Sequence, residues 1–418
     1  MSQKPEDHFI REYTKAKPLS KRRLAIRGLL ILLAGFIFGL GFAGGQILLA
    51  HMDDGDGIYR ESSDPTETQT QEPQIEEPQE PQEPVAEPLN TDEEDLSQIT
   101  LEEYQSVKYE LYQIGRRANH SIVTVTGTAR ATDMLNLDYE DANQSLGIIL
   151  SNDGEKLLIL TGYEALKGER TIQVEFENGD VQSAELVGYH DVLSMAIVSV
   201  KVEDLQPQTL NEITVATLNT DGIVAQGQLV VAVGRPLGSM YSILDGSITM
   251  VSDKIVLEDG NYLCYGTTMA GNASTGSILI NTSGEIIGIV NRVCEQNSSM
   301  TLSALSAKDL SDVVDQMMEG KKTAYLGVTM QTVTDEVANT YQLPSGVYVS
   351  MVTTDSPAMR AGLQSGDIIT SIDGEELLSA EDLRSVLLTK QPEQVVELQV
   401  MRGSGENYSE MTIAVTLD

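Results

Sequence analysis

From Ser121 to about Leu305 the chain is a succession of short β-type runs cut by turn residues, and this rhythm limits the fold more than any other feature. The runs are SIVTVTG, SLGIILSNDGEKLLILTG, TIQVEFENGDVQSAELVG, MAIVSVKV, QLVVAVGRP, SILDGSITMVSD and GSILINTSGEIIGIVNRV. Many short strands separated by Gly and Asp-Gly turns, with almost no helical spacing, specify a β-sandwich or barrel. Helix signals bracket the region. TLEEYQSVKYELYQIGRRANHS opens with Thr100 and Glu103 at capping-box spacing, and SAKDLSDVVDQMMEG sets Leu310, Val313, Val314, Met317 and Met318 on one face.

A second, smaller α+β unit occupies 324–418. Strands are expected around YLGVTM, GVYVSMV, DIITSIDG, VVELQVMR and EMTIAVTL, with helical pieces at PAMRAG and SAEDLRSVLLTK.

The N-terminal quarter reads differently. Residues 28–50, GLLILLAGFIFGLGFAGGQILLA, are apolar apart from Gln46 and long enough to cross a bilayer as a helix. A cleaved signal peptide fits less well, because the run exceeds a signal's apolar core and no A-x-A site follows closely. Residues 1–27 carry Lys4, Arg11, Lys15, Lys17, Lys21, Arg22, Arg23 and Arg27, which places this tail in the cytoplasm and the rest outside. Gly35/Gly39 and Gly41/Gly45 stand at GxxxG spacing, which suits either close helix pairing or the ordinary glycine content of membrane helices. Residues 51–98 are acidic and rich in Pro, Glu and Gln. They cannot bury enough apolar area to offset the entropy of ordering, so they read as a disordered spacer. The folded parts are then 99–320, with its leading helix, and 324–418.

A formal net charge of −36 argues against nucleic acid or anionic lipid as a partner of the folded part. The two cysteines, Cys264 and Cys294, form neither a disulfide scaffold nor a metal cluster, and no motif asks for a cofactor or a metal. Both are expected on strands flanking the loop at 271–276, where a disulfide and two reduced thiols are equally open.

With these pieces in order, residues 121–418 resemble the HtrA (DegP-like) family, a trypsin-like double β-barrel followed by a PDZ domain. YLGV, Tyr325–Val328, is similar to the family's carboxylate-binding loop, and SPAMRAGLQSGDIITSIDGEEL to its signature PDZ stretch. VVAVGRPLG, Val230–Gly238, resembles the strand and loop leading to the substrate pocket. The resemblance implies a serine-protease triad, and the triad is where the chain departs. In LILTGYEALKG, Glu164 stands at the histidine position; in SMAIVSV, Ser194 stands at the aspartate position. Counting back from Gly284 and Gly288 puts Thr275 at the serine position. Anchoring on Gly271-Asn272 instead puts Ala273 there with Ser274 next, but the downstream register keeps Leu279, Asn281, Gly284 and Gly288 aligned.

A hydroxyl is a weak nucleophile without an oriented base in reach, and none of the four histidines, His8, His51, His120 and His190, follows a strand as that base should. Ala273 also replaces a glycine of the oxyanion loop. The triad-equivalent set Glu164, Ser194 and Thr275 is therefore expected to be catalytically silent. The PDZ resemblance implies that the N–H groups of Leu326, Gly327 and Val328 hold a peptide carboxylate. The peptide would add beside the strand starting at Tyr325, with Leu383, Val386 and Leu387 forming the far wall. The expected protein is a single-pass, outward-facing pseudoprotease that binds unfolded proteins or C-termini in protein quality control. Alternatives are an active endopeptidase with altered residues and a silent partner in a mixed oligomer with active homologues; a homotrimer is what the family implies.

Overall fold

The capping box forms as the sequence dictates. The Thr100 hydroxyl accepts the Glu103 N–H at 3.2 Å while the Glu103 carboxylate accepts the Thr100 N–H at 2.8 Å, and helix α1 follows over Leu101–Asn119. The structure is a computed structural model that describes residues 99–418 apart from 133–137, 169, 273–275, 298–300 and 405–406. The tail, the apolar run and the acidic spacer lie outside the described residues, as do Ala273, Ser274 and Thr275. Among the described residues no helix is long and apolar enough to cross a membrane.

The β-type runs close into two barrels. The first comprises β1 (Ile122–Thr132), β2 (Asp138–Asn152), β3 (Lys156–Gly162), β4 (Thr171–Glu175), β5 (Val181–His190) and β6 (Met195–Lys201), in the order β1-β2-β3-β6-β5-β4. After a short helix α2 (Pro207–Glu212), the second holds β7 (Leu229–Gly234), β8 (Ser242–Leu257), β9 (Gly260–Ala270), β10 (Ser277–Ile280), β11 (Ile286–Val290) and β12 (Thr301–Ser306), in the order β10-β11-β12-β9-β8-β7. Alternation is plain in β4, where Ile172 and Val174 are buried and their neighbours exposed. In β6, β10 and β11 every residue but Lys201 is buried, Ser199 and Ser277 included. These strands face the barrel interior on one side and other packed elements on the other. Helix α3 (Ala307–Met318) closes the unit, burying Leu310, Val313, Val314 and Met317 as its spacing predicts and leaving Met318 half-buried.

Two expectations need correction here. β12 is missing from the expected runs, and so is β9 but for the strand expected through Cys264. Cys264 lies on β9, but Cys294 is not on a strand: β11 stops at Val290, and the Asn291 side chain accepts the Val293 N–H at 3.1 Å, turning the chain into the 3-10 segment Arg292–Asn297. Both cysteines are buried and carry no disulfide, and a hydrogen bond with Cys264 is the first cause holding the Cys294 thiol below its ordinary range.

The C-terminal unit has its own core, built on Leu326, Val349, Ile369, Leu383, Val396 and Leu398. Its elements are β13 (Val328–Val333), α4 (Asp335–Tyr341), β14 (Gly346–Val352), α5 (Pro357–Ala361), β15 (Ile368–Ile372), β16 (Glu375–Glu376), α6 (Ala380–Thr389), β17 (Val395–Ser404) and β18 (Asn407–Thr416). The sheet runs β13-β14-β15-β17-β18, with β16 beside β15. The first strand starts at Val328 rather than Tyr325, and α4 is unannounced in the sequence pattern because it buries no residue. Barrels and C-terminal unit lie in one compact unit of the chain.

Candidate functional site

Two places gather the residues singled out in the sequence. The first is a cleft of about 550 Å³ between the barrels, lined by Leu146, Glu164, Ser194 and Gly276 among others. Glu164 sits in a 3-10 turn, Tyr163–Ala165, directly after β3. Ser194 sits just before β6 in the left-handed region, φ 53°, and its carbonyl accepts the Tyr163 N–H at 3.0 Å. That bond ties the end of β3 to the start of β6, so two triad-equivalent positions share one wall. Gly276, φ 78°, faces them from the second barrel. The third position, Thr275, lies outside the described residues.

Among the described residues lining the cleft, the charged side chains are Glu164 and Arg292. One Glu164 oxygen accepts from Lys167 Nζ at 2.8 Å, and the other is 3.8 Å from Arg292 Nη1, so the carboxylate is spent on cations. Lys167 also pairs with Asp191 at 2.8 Å, and these bonds, Asp191 first, push its pKa upward. Among the described residues no histidine lines the cleft. His120 lies 3.5 Å from Glu177. His190 accepts the Leu193 N–H at 3.3 Å, and desolvation, opposed by Asp191, holds its pKa down at about 4. The imidazole is thus held neutral and turned into its own hairpin.

The second place is the YLGV loop. Gly327 adopts φ 85°, which turns successive N–H groups inward, and a Cβ there would come within 2.3 Å of Ser356 Cβ. The N–H groups of Leu326, Gly327 and Val328 converge on one carboxylate. That carboxylate belongs to Asp259, in the two-residue loop joining β8 and β9. The distances are 2.7 Å from Leu326 and 2.9 Å from both Gly327 and Val328. Tyr325 donates its hydroxyl to Glu258 at 2.5 Å, and burial with this bond raises its pKa. Burial pushes the Asp259 carboxyl up to about 6, against the pull of the three N–H donors.

Leu383, Val386 and Leu387 are all buried on α6, within the core of the C-terminal unit. Arg384 on the same helix reaches outward: it stacks on the Tyr262 ring at 5.0 Å and donates to the Asn261 carbonyl at 3.1 Å. Asp259, Asn261, Tyr262 and Arg384 were not singled out from the sequence. The only signal there is LEDGNY, whose Asp-Gly marks a hairpin turn without indicating what the turn will meet.

Comparison with known proteins agrees with this architecture. The trypsin-like peptidase domain profile matches residues 146–289 and the PDZ domain profile matches 324–415. The serine protease Do-like HtrB of Bacillus subtilis (strain 168) is 28% identical over 261 residues, covering 58% of this chain and 55% of that protein. A probable periplasmic serine endoprotease, DegP-like, from Marinomonas sp. (strain MWYL1) is 30% identical over 280 residues, covering 65% of this chain and 56% of its own length. The chain thus spans a little over half the length of these curated relatives. Among solved structures, the HtrA-type protease AlgW with decapeptide superposes with a TM-score of 0.52 at 21% identity, covering 74% of this chain and 98% of that one. Two barrels, a trailing PDZ domain and these matches make the chain a member of the HtrA family.

Proposed function

We propose that this HtrA-family chain is a membrane-anchored, extracytoplasmic binder of protein C-termini that does not cut the chains it holds. The observation that carries the reading is the convergence of three backbone N–H groups, from Leu326, Gly327 and Val328, on one carboxylate. A loop that satisfies a side-chain carboxylate in this way has the geometry to satisfy the terminal carboxylate of a peptide added along β13. The absence of cleavage is supported by Glu164 standing at the base position with its oxygens on Lys167 and Arg292. The apolar run at 28–50, the basic tail before it and the acidic spacer after it support an anchor with the domains outside. The names of the relatives, periplasmic endoproteases, and of AlgW, solved with a decapeptide, point to the same compartment and ligand class.

The test uses the full chain in a lipid nanodisc. Casein, as an unfolded substrate, should be cut no faster than in buffer, and Glu164→Gln should leave that unchanged. Fluorescent decapeptides with randomised last three residues should bind when the C-terminus is a free carboxylate and not when it is amidated. Cleavage that falls on Glu164→Gln overturns the non-cutting part; equal binding of the amidated pool overturns carboxylate recognition.

A further inference from the structure

The carboxylate in the PDZ loop is the chain's own. Asp259 takes the N–H groups of Leu326, Gly327 and Val328 and also donates its own N–H to the Val328 carbonyl at 2.8 Å. Its neighbour Glu258 bridges Thr329 in antiparallel fashion, and Asn261 donates to the Met330 carbonyl at 3.2 Å. The hairpin tip therefore lies along β13, on the edge where an added peptide strand would run. The opposite wall is engaged as well: Arg384 of α6 holds the Asn261 carbonyl and the Tyr262 ring, and Glu381 pairs with Lys254 of β8. Peptide and hairpin need the same donors and the same edge, so they exclude each other.

The contact is not a fully matched core interface. Two buried polar atoms within it, Asn261 Oδ1 and Arg384 Nε, have no hydrogen-bond partner. Leaving such groups unpaired works against the closed arrangement and lowers the barrier to exchange. A cavity of about 510 Å³, lined by Asp259, Tyr262, Tyr325 and Arg384, runs beside the contact and gives the tip room to withdraw.

We propose that the β8–β9 hairpin is an internal ligand of the PDZ loop, seated by Asp259, and that it gates the site: a protein C-terminus binds by displacing it. The inference rests on the peptide-binding reading above and adds its regulation. The displacing group is a free α-carboxylate on an extended chain, because that group replaces the Asp259 oxygens bond for bond while its backbone replaces the Glu258–Thr329 bridge.

The test compares the full chain with Asp259→Ala, and with Glu258→Cys/Thr329→Cys, whose Cα partners are placed for a cross-link. The probe is the free-carboxylate decapeptide pool, read by anisotropy. Asp259→Ala should bind at least tenfold tighter than the parent. The oxidised double-cysteine variant should bind at least tenfold more weakly and recover on reduction, which separates gating from misfolding. Equal binding by the parent and Asp259→Ala, or by the oxidised and reduced lock, overturns gating while peptide binding stands. Binding by neither parent nor variant overturns the peptide-binding reading, and gating with it.

Discussion

Gly327 donates a single N–H to both carboxylate oxygens of Asp259, at 2.9 Å each. The middle of the loop thus sits on the bisector of the carboxylate, with Leu326 and Val328 serving one oxygen apiece. Only a left-handed residue at the centre can aim three consecutive N–H groups this way.

Gly327→Ala should collapse this arrangement. The residue would have to hold φ 85° with its Cβ 2.3 Å from Ser356 Cβ. The expected cost is about 1–3 kcal/mol of stability in the C-terminal unit, with loss of peptide binding. Thermal melting and peptide anisotropy on the same preparation check it; parent-like affinity would contradict the role given to the loop.

A second prediction concerns Arg402 and Asp367. Asp367 is 1% exposed, and Arg402 grips both its oxygens at 2.7 Å from β17. Arg402→Ala strands a buried carboxylate and should cost about 3–5 kcal/mol. Arg402→Lys, which cannot make both bonds, should recover part of it. Urea denaturation of the three proteins decides, and equal midpoints would contradict the claim.

Acid should weaken the fold through His190. An unfolded histidine takes up a proton near pH 6.5, whereas the folded one does so only near 4. Between these values the unfolded chain binds more protons, so stability falls as pH drops through the window. His190→Gln removes this contribution. The stability of the variant relative to the parent should therefore rise from pH 7 to pH 4.5, by at most about 1.4 kcal/mol per pH unit. A difference that stays flat would show that the ring is solvated.

The thiols offer a direct count. Cys264 and Cys294 are 0% and 4% exposed and carry no disulfide. Ellman's reagent should find no reactive thiol in the native protein and two per chain in guanidinium without reductant. No thiols after unfolding would mean a disulfide.

The barrels were readable in the sequence because strands such as β4 alternate and strands such as β10 are short, mostly apolar runs, patterns that tertiary packing had only to accept. β12 escaped because TLSALS is short and follows directly on the turn region after Asn291, with no Gly or Asp-Gly to announce it. Helix α4 escaped for a different reason: DEVANTY buries nothing, so it has no apolar face to show. At the site, the resemblance singled out the YLGV donors, though as holders of a peptide's carboxylate and not of the chain's own. Asp259 was not legible, because it stands 67 to 69 positions away from its partners and a turn residue looks the same whether it meets water or a PDZ loop. Leu383, Val386 and Leu387 were expected as a groove wall; all three are buried, Leu387 also lines the cavity beside the loop, and Arg384 makes the contact with the hairpin.

Because Asp259 and the loop belong to one chain, their encounter does not depend on how dilute the protein is. A partner competes against a neighbour that never diffuses away. With the closed arrangement populated 99 to 1, every intrinsic affinity is read about a hundredfold weaker. On the gating proposed above, such a loop ignores the sparse chain ends that any compartment contains. It fills when ends become abundant or arrive several at a time on one surface, and the occupied fraction then reports the concentration of chain ends, not the presence of any one of them.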